Sequence, residues 1–192
     1  MAQWPEMSSA RPDAAALLRA RRQTLRDVIA PGLRVLFCGI NPGLYSTAVG
    51  HHFGRPGNRF WKALHASGFT PRLFSPSEDK ALLAVRIGIT NLCPRTTASS
   101  DELTAAELER GGRALVAKVR RYRPGVLAIL GIGAYRLGFD RPEAVIGRQP
   151  TATAESLTWV LPNPSGLNAH YGLDELTRHF RILRAAVEAM PD

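Results

Sequence analysis

Four short apolar runs stand out along the chain: Arg34 to Gly39, Ile87 to Leu92, Val126 to Leu130 and Leu157 to Leu161. Each reads as a strand, and Val126 to Leu130 is unbroken rather than alternating, the pattern of a strand covered on both faces in a parallel sheet. An edge strand is expected around Thr151 to Ala154. Between the runs the period changes to that of helices. Asp13 is a suitable N-cap for a helix over Ala14 to Ala30, with Leu18, Leu25, Val28 and Ile29 on one side and Pro31-Gly32 at its end. Asn58 is expected to cap a helix carrying Phe60, Trp61 and Leu64.

Ser75-Pro76-Ser77-Glu78 has a capping residue, a proline at the first helical position and an acid at the third, so a short helix starts there and ends before Arg86. Thr104 and Glu107 open another that runs to about Tyr122. Gly111-Gly112 inside it predicts either a break or a close helix contact, because each glycine costs roughly 1 kcal/mol relative to alanine. A short helix to Phe139 follows the third strand. The last helix spans Leu173 to Ala189, with Leu173, Leu176, Phe180, Leu183 and Val187 as its inner stripe.

Strands separated by helices define an α/β protein, a three-layer αβα sandwich around a central, mostly parallel sheet. Residues 1 to 12 lack periodicity and read as a loose arm. Ile40 to Gly57 reads as one long irregular segment, a length that in a compact domain usually carries function. No internal repeat or domain boundary is evident in the 192 residues.

Charge narrows the partners. The chain carries 25 Lys plus Arg against 16 acids, a net +9, mostly from arginine. Arginine suits bidentate contacts with phosphate, so a polyanion leads, although a solubilising basic surface has the same composition. The arginines of the first helix suit DNA or an ordinary solvated face. Cys38 and Cys93 form no metal spacing or disulfide framework, which fits a reducing intracellular compartment, cytoplasmic if the source is bacterial. No apolar run approaches the ~20 residues that span a bilayer, and Met1 to Ala10 has no apolar core of a secretory signal.

Several chemistries can be set aside. The chain has no HExxH, CxxC, GxxxxGK or Gly-x-Ser-x-Gly. Gly131-Ile132-Gly133 is followed next by Gly138, so the dinucleotide spacing fails. What remains at strand ends and in loops is Asn41, the cluster His51-His52-Phe53, Asn91, Arg95-Thr96-Thr97, and the turn Pro162 to Leu167.

Two Asn-Pro corners frame this set, Asn41-Pro42-Gly43 and Asn163-Pro164-Ser165-Gly166-Leu167. Each also suits an ordinary turn. An amide can hold a water by accepting and donating but cannot take its proton fully. An aromatic beside amides suits a pocket for a flat hydrogen-bonding base, and a rigid apolar tip suits the gap such a base leaves in a duplex. Phe53 buried in the core and Leu167 stapling the last helix are the plainer readings.

Gly39-Ile40-Asn41-Pro42-Gly43-Leu44, Gly50-His51-His52-Phe53, Pro56-Gly57-Asn58-Arg59-Phe60-Trp61-Lys62, Thr90-Asn91-Leu92, Arg95-Thr96-Thr97 and Asn163-Pro164-Ser165-Gly166-Leu167 together resemble the mismatch-specific uracil/thymine-DNA glycosylase family. The resemblance runs from about Ile29 to Val187. Residues 1–27 therefore stand outside it, and 28–190 form a single domain of uracil-DNA glycosylase-like fold. It implies a monofunctional glycosylase without metal or cofactor: hydrolysis of the N-glycosidic bond of uracil, thymine or damaged pyrimidines opposite guanine. The implied partner is double-stranded DNA with a G:U or G:T mismatch, met by a monomer.

Position by position, the resemblance implies that Asn41 holds the attacking water and Phe53 stacks on the flipped base. Gly39 and Ile40, with Asn91 and His52, would read the base edge, and Ser46 would touch a phosphate. Asn163, Pro164 and Ser165 would support the DNA-inserting wedge, Gly166 and Leu167. Two positions depart from the pattern: Pro94 stands where relatives often carry an acid, and Ala169 where some carry an arginine. A non-catalytic mismatch-binding module and a small-molecule enzyme are the competing expectations.

Overall fold

The computed structural model describes residues 11–191, so most of the expected N-terminal arm lies outside the described residues. Five strands form one sheet: β1 (Val35–Gly39), β2 (Ile87–Asn91), β3 (Val126–Leu130), β4 (Gly147–Arg148) and β5 (Leu157–Leu161). Their order is β2-β1-β3-β5-β4, with only β4 antiparallel. The helices are α1 (Ala14–Ala20), α2 (Leu44–Val49), α3 (Phe60–Ala66), α4 (Ala105–Tyr122), α5 (Ile132–Gly138) and α6 (Leu173–Glu188), with a 3₁₀ helix at Pro76–Val85. None of the described helices is long and apolar enough to cross a membrane.

The unbroken apolar strands serve both faces of the sheet. Val35 and Phe37 point into a cluster with Phe60, Leu64, Phe180 and Leu183 from α3 and α6. Leu36 and Cys38 point the other way, into a cluster with Leu115, Val119 and Tyr135 from α4 and α5. The expected three-layer sandwich is thus present. Phe37 is stacked on Phe180 at 5.5 Å and meets Phe60 edge-on at 5.4 Å. Each such side chain, once buried, stabilises the fold by roughly 1.5–3 kcal/mol.

Three details differ from the pattern in the sequence, and at Gly111-Gly112 the close contact rather than the break is present. The first helix ends at Ala20 instead of Ala30, although Asp13 caps it through a 2.7 Å bond from Ala16 N. The residues that would continue it are taken by the sheet. Val28 exchanges two backbone hydrogen bonds with Ile89, at 2.9 and 2.8 Å, and Asp27 pairs with Lys118 at 2.5 Å. This covers the open edge of β2, whose unpaired backbone groups favour a partner.

The segment Ile40 to Gly57 is not wholly irregular, since α2 lies within it. The edge strand is Gly147–Arg148, not Thr151 to Ala154. There Thr153 and Ser156 bond to each other across a tight turn in which Ala154 and Glu155 both have positive φ. Gly111 and Gly112 do not break α4. A Cβ on Gly111 would lie 2.5 Å from Leu92 O, and one on Gly112 would lie 1.9 Å from Gly138 O, so the pair permits close packing of α4 on α5 and on the segment after β2.

Because β1, β2, β3 and β5 are parallel, their carboxyl ends share one rim. The segments that leave that rim carry Asn41, Asn91, Gly131 and Asn163. Strand ends of this kind are where open α/β sheets bind ligands.

Candidate active site

Asn41 stands two residues beyond β1, and its side chain is fixed by the segment that follows β2. Nδ2 donates to Arg95 O at 2.8 Å and to Thr97 Oγ1 at 2.6 Å. Thr97 hands its own proton on to Ser99 O at 2.7 Å. The backbones are laced as well, with Leu44 N donating to Thr97 O and Thr97 N to Pro42 O, both at 3.1 Å. With both amide protons used, the flip of the amide is set and Oδ1 remains as the acceptor available to the cleft.

Arg95 is held in turn. Its guanidinium bonds the Glu107 carboxylate at 2.6 and 3.1 Å and Glu102 O at 2.7 Å. This arginine, helped by the cap bond from Thr104 N, lowers the Glu107 carboxyl to about 2.

A cleft of about 280 Å³ opens beside Asn41. Of the residues expected at the site, Gly39, Ile40, Asn41, Ser46, His52, Phe53, Asn91, Asn163, Ser165 and Leu167 line it. Pro164 and Gly166 belong to the same turn but not to its wall. The two Asn-Pro corners, more than a hundred residues apart in sequence, therefore meet at one cavity.

Phe53 has φ +52°, an uncommon conformation for a residue with a large side chain. One face of its ring stacks on Phe60 at 4.1 Å. Near it, a Cβ on Gly39 would lie 3.4 Å from Phe53 Cζ and 2.6 Å from Asn91 Oδ1, so the last residue of β1 must be bare for these two side chains to approach. The Asn91 amide has no side-chain hydrogen-bond partner among the described residues and is not among the buried unpaired groups. It is free to donate and accept at once.

His52 is 2% exposed. Its Nε2 lies 2.9 Å from Arg26 O, and because a carbonyl only accepts, Nε2 carries the proton and Nδ1 is the acceptor. Burial pushes its pKa down, so the ring is neutral. Its backbone is pinned by Asp79, which accepts His52 N at 3.4 Å and faces His51 Nδ1 at 3.3 Å, and by Trp61 Nε1, which donates to His52 O at 3.2 Å. Ser46 is 6% exposed, and its Oγ accepts Gly54 N at 3.0 Å.

The second corner is built from backbone carbonyls and one arginine. Asn163 Oδ1 accepts Ser165 N at 3.0 Å, and Asn168 Nδ2 donates to Asn163 O at 2.9 Å. Arg59 donates from its guanidinium to the carbonyls of Ser165, Asn168 and Tyr171, and from its backbone N to Pro164 O at 3.0 Å. A Cβ on Gly166 would lie 2.7 Å from Gly57 O, so this glycine lets the two segments touch. Leu167 is left 64% exposed at the end of the turn.

The sequence marks the Arg95-to-Thr97 stretch but gives no site role to Arg59, to Thr97 or to Leu25; Thr97 and Leu25 both line the cleft. Arg59 and Thr97 stand inside motifs already quoted, which was the available signal. Asp101 is the sole carboxylate on the wall among the described residues. No group of three or more His, Cys, Asp or Glu among the described residues could hold a metal ion. The arrangement can place a water, stack a flat ring and read its edge with amides.

Two comparisons bear on this geometry. Residues 26–187 match the family model described as the uracil DNA glycosylase superfamily. The fold is similar to the NMR solution structure of a candidate uracil DNA glycosylase from Methanosarcina acetivorans, with a TM-score of 0.51 and 19% identity over 84% of this chain and 98% of that one.

Proposed function

The chain belongs to the uracil DNA glycosylase superfamily, and from that premise we propose that it excises uracil, and thymine or damaged pyrimidines, mispaired with guanine in duplex DNA. The observation that carries the reading is the Asn41 amide, whose Nδ2 is fully engaged by Arg95 O and Thr97 Oγ1 while Oδ1 is left to the cleft that Phe53 and Asn91 share.

In this reading the target base is flipped out of the stack onto Phe53, with Phe60 backing the ring. Asn91 pairs with its edge, donating from Nδ2 and accepting at Oδ1, together with the backbone at Ile40 and the neutral His52 ring. Leu167 enters the space the base vacates. Asn163, Pro164 and Ser165 support it, and backbone groups at Gly166 and Leu167 meet the widowed guanine.

Asn41 accepts a hydrogen bond from water and aims its oxygen at the sugar, but an amide is too weak a base to deprotonate it fully. The glycosidic bond therefore breaks largely before water attacks. The electron pair leaves with the base, whose negative charge is held by N–H donors, and the cationic sugar is held by DNA phosphates. Water then adds to the sugar and its proton passes to solvent.

The test is an excision panel: uracil and thymine opposite guanine and adenine, each duplex treated with alkali to cut abasic sites. Strand cleavage at uracil opposite guanine, exceeding that opposite adenine, is the expected result. Binding without cleavage on every duplex would instead identify a mismatch-binding module.

A further inference from the structure

Five arginines, Arg11, Arg19, Arg21, Arg22 and Arg26, stand in residues 11–26 against Asp13 alone, and they leave +4 of the chain's +9 there. All but the last of these residues precede the part of the chain that matches the family model. Were they a continuous helix, their charge would spread around a solvated surface. The chain leaves the helix at Ala20, and the segment after it is laid along the rim of the cleft.

Three contacts place it there. Thr96 Oγ1 donates to Gln23 O at 2.8 Å, beside the Arg95-to-Thr97 segment that fixes Asn41. Arg26 O accepts the ring proton of His52 at 2.9 Å. Leu25 lines the cleft itself. Arg22 and Arg26 bracket this contact, both are exposed, and neither has an ion-pair or hydrogen-bond partner for its side chain among the described residues. Arg21 differs, facing Glu102 at 3.6 Å, and Asp27 is neutralised by Lys118.

The sheet order sets the span. The segment flanks β2, whereas the turn carrying Leu167 follows β5, so Asn41 at the end of β1 lies between them. From the segment to β5 there are four strand spacings of about 4.8 Å, ~19 Å in all. Along one DNA strand at ~3.4 Å per nucleotide that distance covers five or six phosphates.

We propose that Arg22 and Arg26 form a second DNA contact, binding backbone phosphates beside the flipped nucleotide on the side of the cleft away from Leu167. The proposal rests on the reading of the cleft as a DNA site. It assigns the extra basic segment a role in duplex affinity that is separate from chemistry in the pocket.

The test compares the full chain with R22A/R26A and with R120A/R121A, which removes two exposed arginines at the far end of α4, away from the strand-end rim. Affinity for an unmodified duplex is measured against KCl concentration. Each lost phosphate contact lowers the slope of log K on log salt by about 0.9. The expected result is a slope shallower by nearly 2 for R22A/R26A, with that of R120A/R121A unchanged and the melting temperature of both variants as in the parent.

A slope for R22A/R26A equal to that of the parent, or an equal change in R120A/R121A, would overturn the proposal. Because this readout is binding to DNA without uracil, a parent protein that excises nothing would end the catalytic reading while leaving the slope comparison decisive for this one.

Discussion

Thr97 Oγ1 accepts a 2.6 Å hydrogen bond from Asn41 Nδ2, joining the end of β1 to the segment after β2. This bond, with its neighbour from Asn41 Nδ2 to Arg95 O, determines which atom of the amide faces the cleft. In water an amide would flip freely between its two orientations, and half of them would present N–H groups where an acceptor is needed.

Thr97→Val keeps the shape and removes the acceptor. Arg95 O still holds one amide proton, so the orientation is weakened rather than lost. A typical hydrogen bond contributes about 0.5–1.5 kcal/mol, which predicts a roughly 3- to 10-fold fall in kcat with KM unchanged. Steady-state kinetics on a uracil·guanine duplex checks this, and an unchanged kcat would show that the bond does not set the amide.

Arg59 holds the carbonyls of the 164–171 turn, and Gly166 rests on Gly57. Hydrogen bonds to a charged group contribute about 1.5–3 kcal/mol each. Arg59→Ala should free the turn, raising amide exchange over residues 163–171 but not in β1 and β3. KM for duplex substrate should rise more than kcat falls, and Arg59→Lys should restore part of the loss. Exchange unchanged in that turn would contradict the assignment.

His52 has a pKa below its ordinary 6.5 because burial penalises the charged ring. The folded state therefore binds this proton less readily than the unfolded chain. Stability that depends on the neutral ring is complete above pH 6.5 and is lost progressively as pH falls below it. An imidazole NMR titration should give a midpoint for His52 under 6.5, with no change in the ring between pH 7 and 9. A midpoint above 6.5 would mean that the charged ring is favoured, contrary to its surroundings.

The sheet was legible because runs such as Val126 to Leu130 are buried on both faces and leave no polar alternation to misread. Leu25, Val28 and Ile29 keep a helical spacing, so the pattern predicts a first helix longer than Ala14–Ala20. The competing demand, an open β2 edge that pairs with Val28, belongs to tertiary structure. The strand Gly147–Arg148 is two residues long, too short for any periodicity.

The corners at Asn41 and Asn163 were visible from their turn chemistry and their strand-end positions. Arg59 was not, because its side-chain partners are backbone carbonyls at Ser165, Asn168 and Tyr171, which any sequence would supply. Leu25 was hidden for a related reason: it looked like one residue of a helix stripe until the chain left the helix before it.

The central claim, that the Asn41 amide positions the attacking water, is tested most directly by single-turnover excision of uracil opposite guanine with Asn41→Ala. Removing one such positioned group is typically worth about 10²–10³ in rate. The account predicts a fall of at least that size with affinity for the duplex retained. Turnover near that of the parent, at equal affinity, would contradict it.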